Sequence, residues 1–469
     1  MSALIVLAAV FLLVGGIVSV ARPGLTILPL YAATLPVASV IRLSVPLPKP
    51  FNTLSSLLGA AAILACLAHM ALYRRGRIPS LPAALWLAFL AWCLITTFWA
   101  ISTSSAVNAI QVASPLILLM FVVGALPVDD SDLDAMRFAI IASGIAVGMY
   151  ALLLVLTGKA LPAHGLAASH RLSIASNPQD TDPNILAASL LLPLVLSVER
   201  IALGGSRWWG PTGWRVLGVA GLFLSSMAIL LTGSRGGALS AIIAVVVALY
   251  LCSRLPEGRA ATRRFLRAVF SVAAGGAVLF LAGRLLFPQA TQMPLINQRL
   301  APVSALIQRL ANTQNRGSNR IDIWTGGYRA CLAHCAWGTG FGTFEEAYTE
   351  SFAFSGAAVN VGLNRPAHNI YLGLAVETGL VGLSLLLLAM VAEWVQLSSK
   401  RMQRVSPSLR AALLAMAVVE IFLSAIWFKF FWLLFVLIRM TESVAARSGP
   451  PVAGAIGRSQ RALPAGYPG

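Results

Sequence analysis

Residues 368–396 read HNIYLGLAVETGLVGLSLLLLAMVAEWVQ, a histidine and an asparagine followed by a long apolar run. About 20 predominantly apolar residues cross a bilayer as a helix, so the stretch predicts a membrane span with a polar outer end. A histidine is the side chain most readily set to exchange a proton near neutral pH. His368 therefore lies where a membrane enzyme would keep a base.

The composition of the whole chain indicates the same class of protein. Hydrophobic residues make up 58% of the 469 residues and charged residues only 11%. The 34 Lys and Arg against 16 Asp and Glu give a net charge of +18. In a polytopic membrane protein such a surplus usually collects in cytoplasmic loops, so no nucleic-acid partner is expected.

The apolar runs predict an all-α integral membrane protein with about twelve transmembrane helices. The first run has no basic residue before it, which favours a retained helix over a cleaved signal peptide. The run 25–41 is short and contains Pro29 and Pro36, so its crossing is ambiguous. The twelve runs lie near residues 3–20, 51–72, 82–100, 105–125, 137–157, 184–204, 214–232, 238–254, 265–286, 369–396, 409–424 and 427–441.

Basic residues predict the orientation, because short cytoplasmic loops gather Lys and Arg. Four basic clusters fall on one side if the run 25–41 does not cross, near residues 74–77, 207–215, 254–267 and 400–410. The first helix then runs outward, residues 21–50 stay at the outer face, and both termini are cytoplasmic. The aspartates between 129 and 134 also fall inside, but acidic residues count little in this rule.

This orientation divides the chain into four parts. Residues 1–286 form an N-terminal transmembrane bundle, and residues 287–368 form a long outer loop. Its apolar residues between 295 and 310 recur at helical spacing, which predicts a helix in the interface plane. Residues 369–441 form the C-terminal transmembrane helices. The Gly- and Pro-rich segment 442–469 is expected to be a disordered cytoplasmic tail.

The surroundings of His368 favour a neutral imidazole. Asn364 and Pro366 suit the start of a helix, which would place His368 in its first turn, near the positive end of the helix dipole. On a continuous helix three small residues fall within roughly 40° of the His368 direction, and close packing there would fix the outer end of the helix. They are Ala375, Gly379 and Gly382. The alternative is a histidine that merely caps a helix at the interface.

Three arginines share the predicted outer face: Arg235 in the sequence TGSRGG, Arg320 in NRIDIW, and Arg171. Guanidinium groups bind phosphate oxygens bidentately, so arginines that converge at a membrane face indicate a pyrophosphate head group. Each arginine could instead anchor lipid phosphates, and Arg320 could pair with Asp322. Arg171 precedes the segment 180–184, which resembles a helix cap.

The long loop offers weaker signals. Gly338, Gly340 and Gly342 lack the strand and helix of a nucleotide-binding motif and predict a tight turn back to the membrane. Glu345 and Glu346 could be polar partners there, although solvated loop charges are the commoner case.

Cysteines and buried acids complete the set of candidates. Cys331 and Cys335 have poor disulfide spacing for a helix, and with His334 they lack a fourth zinc ligand, so no metal is expected. Glu377 would lie about 14 Å below His368 on the opposite helix face. Buried interhelical hydrogen bonds are the expected role of Glu377, Glu393 and Glu420, with a proton or ion path as the alternative.

The spacing His368-Asn369, nine residues, Gly379, two residues, Gly382 resembles the signature of the O-antigen ligases, in the wider O-antigen ligase and polymerase superfamily. The resemblance extends over most of the chain, through the span count, the segment 232–237 and the Arg320-x-x-x-Trp324 pattern. The histidine motif is its specific part; the rest is shared with polymerases and protein O-oligosaccharyltransferases.

The resemblance implies a membrane glycosyltransferase of GT-C type in the bacterial inner membrane. Such an enzyme transfers O-antigen polysaccharide from undecaprenyl pyrophosphate to a sugar hydroxyl of lipid A-core at the periplasmic face, without metal or other cofactor. His368 would be the base, while Arg235 and Arg320 would hold the pyrophosphate. Arg171, from topology alone, and Asn369 join them as candidate substrate-binding residues. A polymerase, a protein glycosylating enzyme and, from another class, a transporter remain as alternatives.

Overall fold

The computed structural model describes residues 14–38, 51–157, 161–162, 172–173, 182–205, 210–267, 320–353 and 363–447. Within these ranges the chain is helical apart from one antiparallel pair of two-residue strands, β1 (Leu161–Pro162) and β2 (Leu172–Ser173). Arg171, the loop helix predicted near 295–310 and the tail from 448 onward lie outside the described residues.

The N-terminal half contains nine numbered helices besides the helical residues 14–21 and 256–267. They are α1 Ile27–Ala38, α2 Leu54–Tyr73, α3 Leu81–Thr96, α4 Thr103–Ala125, α5 Asp130–Leu156, α6 Pro183–Ser189, α7 Leu191–Leu203, α8 Gly210–Leu231 and α9 Arg235–Ser253.

The C-terminal half contains seven numbered helices in the described residues. They are α10 Arg320–His334, α11 Phe344–Ala353, α12 Ile370–Glu377, α13 Gly379–Leu397, α14 Lys400–Val405, α15 Leu409–Val419 and α16 Lys429–Arg447.

Eight helices in the described residues are long and apolar enough to cross a membrane: α2, α3, α4, α5, the pair α6–α7, α8, α9 and α13. The predicted fold class is thereby confirmed as a helical integral membrane protein. Of the remaining predicted spans, the run 409–424 is an 11-residue helix followed by a turn. The last run is α16, which continues to Arg447, so residues 442–447 belong to a helix and not to the predicted tail.

Two elements form the centre of the bundle. The pair α6–α7 is almost wholly buried by its neighbours, and α16 is buried from Phe430 to Ala445. The charges of α16 are paired inside the protein: Arg439 forms ion pairs with Glu393 and Glu442, and Trp86 Nε1 donates to Glu393 at 3.1 Å. An unpaired charge at this depth would be costly, so this network fixes how α3, α13 and α16 pack.

Contacts between helix ends define two opposite faces of the bundle. On one, called the basic face, Glu199 accepts hydrogen bonds from Ser406 and Ser408, both at 2.6 Å, and Ser80 donates to Glu442 at 3.2 Å. The other, called the site face, carries the start of α10, the residues before α12 and the connection 420–429.

The N-terminal segment crosses the bundle differently from the prediction. The carbonyl of Val20 lies 3.0 Å from His69 Nδ1, and Gly24 packs against Asp132, so residues 20–24 lie at the basic face. Helix α2 begins at the opposite face, where Lys429 Nζ donates to Ser55 at 2.7 Å. The predictions that residues 21–50 stay at the outer face and that the first helix ends there are therefore wrong. Helix α1 extends from the basic face toward the site face. Its prolines are tolerated there because the helix packs inside the protein.

The span predicted over 369–396 is not one helix. It divides into α12 and α13 at Thr378 and Gly379, where Gly379 has a φ of +67°. The loop 338–342 enters this break: Thr339 N donates to the Val376 carbonyl at 2.9 Å, and Leu380 N donates to the Cys335 carbonyl at 2.7 Å. Gly379 and Gly382 therefore lie at the break between the two helices. The predicted seam of small residues below His368 required one continuous helix, so it does not form.

Candidate functional site

A cavity of about 350 Å³ opens at the site face. It lies between the cap of α6, the start of α11, the residues before α12 and the connection that leads into α16. Its polar lining residues are Ser105, Asp182, Glu345, Glu346, His368, Glu377 and Ser424. The apolar lining includes Phe344, Trp427 and Phe428.

His368 is held in the cavity wall by the residues on both sides of it. Trp324 Nε1 donates to the carbonyl of Ala367 at 3.0 Å, and the side chain of Asn369 accepts from Leu372 N at 3.1 Å. Helix α12 therefore begins at Ile370 with Asn369 as its N-cap, and the prediction that His368 lies in the first helical turn is wrong. His368 itself has a φ of +46°, a strained conformation of the kind that clusters at functional sites.

The electrostatic surroundings keep the imidazole neutral. Burial lowers the pKa of His368 below its ordinary value, and the nearby charges of Arg320 and Arg365 lower it further, while Asp182 opposes them. A neutral imidazole can accept a proton, so His368 is a candidate general base.

Arg320 and Arg235 flank this site. Burial lowers the pKa of Arg320, the charge of Asp182 raises this pKa, and the charge of Arg235 lowers it. Asp182 and Arg235 are therefore both close enough to Arg320 to interact with it electrostatically. Arg320 is half-buried and its guanidinium lies 5.9 Å from the centre of the Phe422 ring, while Arg235 is exposed. Neither arginine is among the residues that line the cavity. The structure thus brings Arg320, Asp182 and His368 together, with Arg235 beside Arg320.

The caps of α6 and α9 hold Asp182 and Arg235 in fixed positions. Asp182 caps α6, as the sequence predicts, by accepting from Asn184 N at 2.8 Å. Ser234 caps α9 and donates from its hydroxyl to the side-chain carbonyl of Asn184 at 2.7 Å. The first turn of α9, with Arg235, is thereby tied to the cavity wall.

The opposite wall of the cavity is acidic, a feature the sequence suggested only faintly. Glu345 and Glu346 lie in the first turn of α11, and the hydroxyl of Ser105 donates to Glu346. The pKa of Glu345 is raised by burial and by the adjacent charge of Glu346. Glu345 is nevertheless exposed, as expected of a solvated charge, whereas Glu346 is half-buried and bonded to Ser105. The available signal was a pair of glutamates directly after a glycine turn.

The glycine turn before α11 is confirmed. Gly338, Gly340 and Gly342 have φ values of +77°, +108° and +86°, which only glycine adopts without strain. A Cβ on Gly340 would collide with the side chain of Ala100, so the loop packs closely against the start of α4.

The buried carboxylate of Glu377 holds this turn in place. It accepts from Gly342 N at 3.0 Å and from Phe344 N at 3.3 Å. Glu377 therefore makes the buried hydrogen bonds expected of it, but to the backbone of the loop and not between helices. The same acidic wall thus depends on a residue of α12.

The two loop cysteines form a disulfide, Cys331–Cys335, at the C-terminal end of α10. The expectation that this spacing disfavours a bridge is wrong. The described cysteines of the spans, Cys66, Cys93 and Cys252, are free and buried. Among the described residues, no group of three or more His, Cys, Asp or Glu side chains could hold a metal ion.

Fold and site together define a polytopic helical membrane protein with a half-buried histidine and two arginines at one face. Residues 220–387 match the family model described as O-antigen ligase, a segment that includes Arg235, Arg320 and His368. The predicted resemblance to the O-antigen ligase family is thereby confirmed. This family indicates an enzyme of ligase or polymerase type in the inner membrane. No characterised protein sequence matches the chain.

Proposed function

We propose that this protein is an O-antigen ligase that transfers polysaccharide from undecaprenyl pyrophosphate to a sugar hydroxyl of lipid A-core. The observation that carries the proposal is the cavity in which His368, held neutral, lies within electrostatic range of Arg320 and Asp182. A sugar on pyrophosphate already has a good leaving group, so catalysis requires an activated acceptor and positive charge near the phosphates.

In the proposed reaction His368 removes the proton from the acceptor hydroxyl, and the oxygen attacks the anomeric carbon. The bond from that carbon to the pyrophosphate breaks, and its electron pair goes to a phosphate oxygen. Arg320 and Arg235 stabilise the charge that grows there. A single displacement of this kind inverts the anomeric carbon, and a product with retained configuration would exclude it.

The site face is proposed to be periplasmic. Short loops on the opposite face carry the basic clusters, as cytoplasmic loops do. The Cys331–Cys335 disulfide belongs to the site face, and disulfides persist in oxidising compartments such as the periplasm. Labelling of single cysteines introduced at Arg235 and at Arg404 by a membrane-impermeant reagent tests this orientation. Labelling of the Arg404 position in intact inner-membrane spheroplasts would contradict it.

The acceptor is proposed to enter along the acidic wall of Glu345 and Glu346, where carboxylates accept hydrogen bonds from sugar hydroxyls. The donor pyrophosphate is repelled there and drawn to the arginine side. This arrangement leaves the acceptor hydroxyl facing His368.

The decisive experiment is transfer by the purified protein, supplied with undecaprenyl-pyrophosphate glycan and lipid A-core in the presence of a chelator. His368→Ala should abolish transfer, while His334→Ala, an exposed histidine on the same face, should retain it. Undiminished transfer by His368→Ala would leave His368 as a structural residue before the cap of α12. Loss of native transfer under chelation would refute metal independence.

A second pair of variants tests donor binding. Arg320→Ala should raise the KM for the donor, because a guanidinium near the pyrophosphate is lost. Arg329→Ala removes an exposed guanidinium from the same helix and should leave this KM unchanged.

Three other functions are distinguished from this one by their acceptor or by the structure. A polymerase shares the donor chemistry, and chain extension without lipid A-core would identify one. A transporter commonly contains interrupted helices, as at Thr378, but here the loop 338–342 occupies the break. A protein O-oligosaccharyltransferase differs only in its acceptor, so transfer to a protein substrate would identify it.

A further inference from the structure

Asp182 is fixed at a point where two elements of the site, α6 and α9, meet. Its Oδ1 atom accepts from Asn184 N at 2.8 Å and from Asn184 Nδ2 at 2.7 Å, and Asn184 in turn accepts from Ser234. The carboxylate is therefore held by the cap of α6 and by the first turn of α9. It lines the same cavity as His368.

The charge of Asp182 distinguishes it from the other acids of the cavity. Of the charged groups that act on His368, Arg320 and Arg365 disfavour the imidazolium and Asp182 favours it. The remaining acids that line the cavity, Glu345, Glu346 and Glu377, belong to the opposite wall and to α12. Asp182 is thus the acid placed to stabilise a proton on His368.

We infer that Asp182 is a positioning residue that stabilises the imidazolium of His368 while the acceptor hydroxyl is deprotonated. The inference rests on the proposed function. A base surrounded by arginines would be a weak proton acceptor, and a fixed carboxylate beside it offsets their charge. The proton moves from the acceptor oxygen to His368, stays there beside Asp182 during the displacement, and then leaves to water.

The arrangement also limits the competition between Asp182 and the donor for Arg320. One carboxylate oxygen of Asp182 is occupied by two N–H donors of Asn184, so its orientation is set by the cap and not by the arginine. The guanidinium of Arg320 remains available for phosphate oxygens. Removal of the Asp182 charge should therefore lower kcat without raising the KM for the donor.

Asp182→Asn separates the two roles of this side chain. Its amide oxygen can accept the same hydrogen bonds at the helix cap, so the fold is retained, but the charge is lost. If this variant does not fold, Asp182→Ser provides a second uncharged cap. Glu350→Gln is the matched control, because it removes an exposed negative charge from the same face outside the cavity.

The direct measurement is the titration of His368 by NMR in the full-length protein with labelled histidine. The chain has five histidines, and His368→Gln identifies the resonance. Asp182→Asn should lower the pKa of His368, and Glu350→Gln should not. In transfer assays, the rising limb of the kcat profile should move to lower pH, and kcat should fall on the order of tenfold, because a weaker base accepts the proton less readily.

The inference is overturned if Asp182→Asn leaves both the titration and the pH profile of kcat unchanged, since the residue would then be only a helix cap. An absence of transfer by the native protein would instead overturn the proposed function. The titration does not depend on transfer, so it decides the pairing of Asp182 with His368 in either case.

Discussion

Replacing Glu377 with alanine is expected to release the loop that forms the acidic wall of the cavity. The Glu377 side chain is 6% exposed and accepts hydrogen bonds from the backbone of Gly342 and Phe344. Alanine removes both acceptors. The two amides remain in a buried position, because the turn still packs against α4.

The magnitude follows from the two unsatisfied donors. A buried polar group without a partner costs about 1–3 kcal/mol, so two amides cost about 2–6 kcal/mol. Since about 1.4 kcal/mol corresponds to a factor of ten, the lower bound amounts to roughly a 30-fold change in the opening equilibrium. Glu377→Gln keeps one oxygen acceptor and should show about half of this cost.

Hydrogen exchange of the protein in detergent measures the effect at the loop itself. The amides of Gly342 and Phe344 should exchange roughly 30-fold faster or more in Glu377→Ala, with a smaller increase in Glu377→Gln. Transfer activity should fall with them, because Glu345 and Glu346 lose their fixed positions. Glu350→Ala is the control, an exposed glutamate of α11. Unchanged protection of the two amides in Glu377→Ala would refute the proposed anchoring.

Three further predictions concern other parts of the site. Gly340→Ala should destabilise the protein by about 1–3 kcal/mol, because the φ of Gly340 is +108° and an added Cβ would collide with the side chain of Ala100. In thermal unfolding the control is Gly373→Ala, where an added Cβ makes only ordinary contacts in a helix. Cys331→Ser should expose one thiol at Cys335 to a maleimide reagent without reductant, and labelling of both cysteines in the native protein would contradict the bridge. The transfer rate should rise with pH and reach half of its maximum below the ordinary histidine pKa of about 6.5, because the pKa of His368 is lowered; a midpoint above that value would contradict a neutral base.

The sequence predicted the class of protein and the face of the site, because both depend on local composition. Membrane spans need long apolar runs, and a polar motif next to a span must lie near water. His368, Arg320 and Arg235 were all identified this way. The structure places His368 and Arg320 together and leaves the exposed Arg235 at their side.

The predictions of membrane spans from the sequence were wrong where a short segment packs inside the protein. The crossing of the proline-containing run 25–41 was ambiguous and the predicted orientation assumed that it does not cross, yet α1 packs between the faces against α5 and α2. Residues 369–396 appeared to form one helix, because the run is continuously apolar. The break at Gly379 depends on hydrogen bonds with the loop 338–342, which lies about forty residues earlier in the chain. One of these bonds joins Thr339 and Val376.

The sequence by itself determined a helical membrane protein of the O-antigen ligase kind, with a candidate base and arginines at one face. Hydropathy, charge asymmetry and motif spacing are properties of short segments, so they can be recognised without a fold. Only the tertiary structure decided that Asp182 lies with His368 and that Glu345 and Glu346 form the opposite wall. These positions arise from contacts between distant segments, where burial and neighbouring charges together set what each side chain can do.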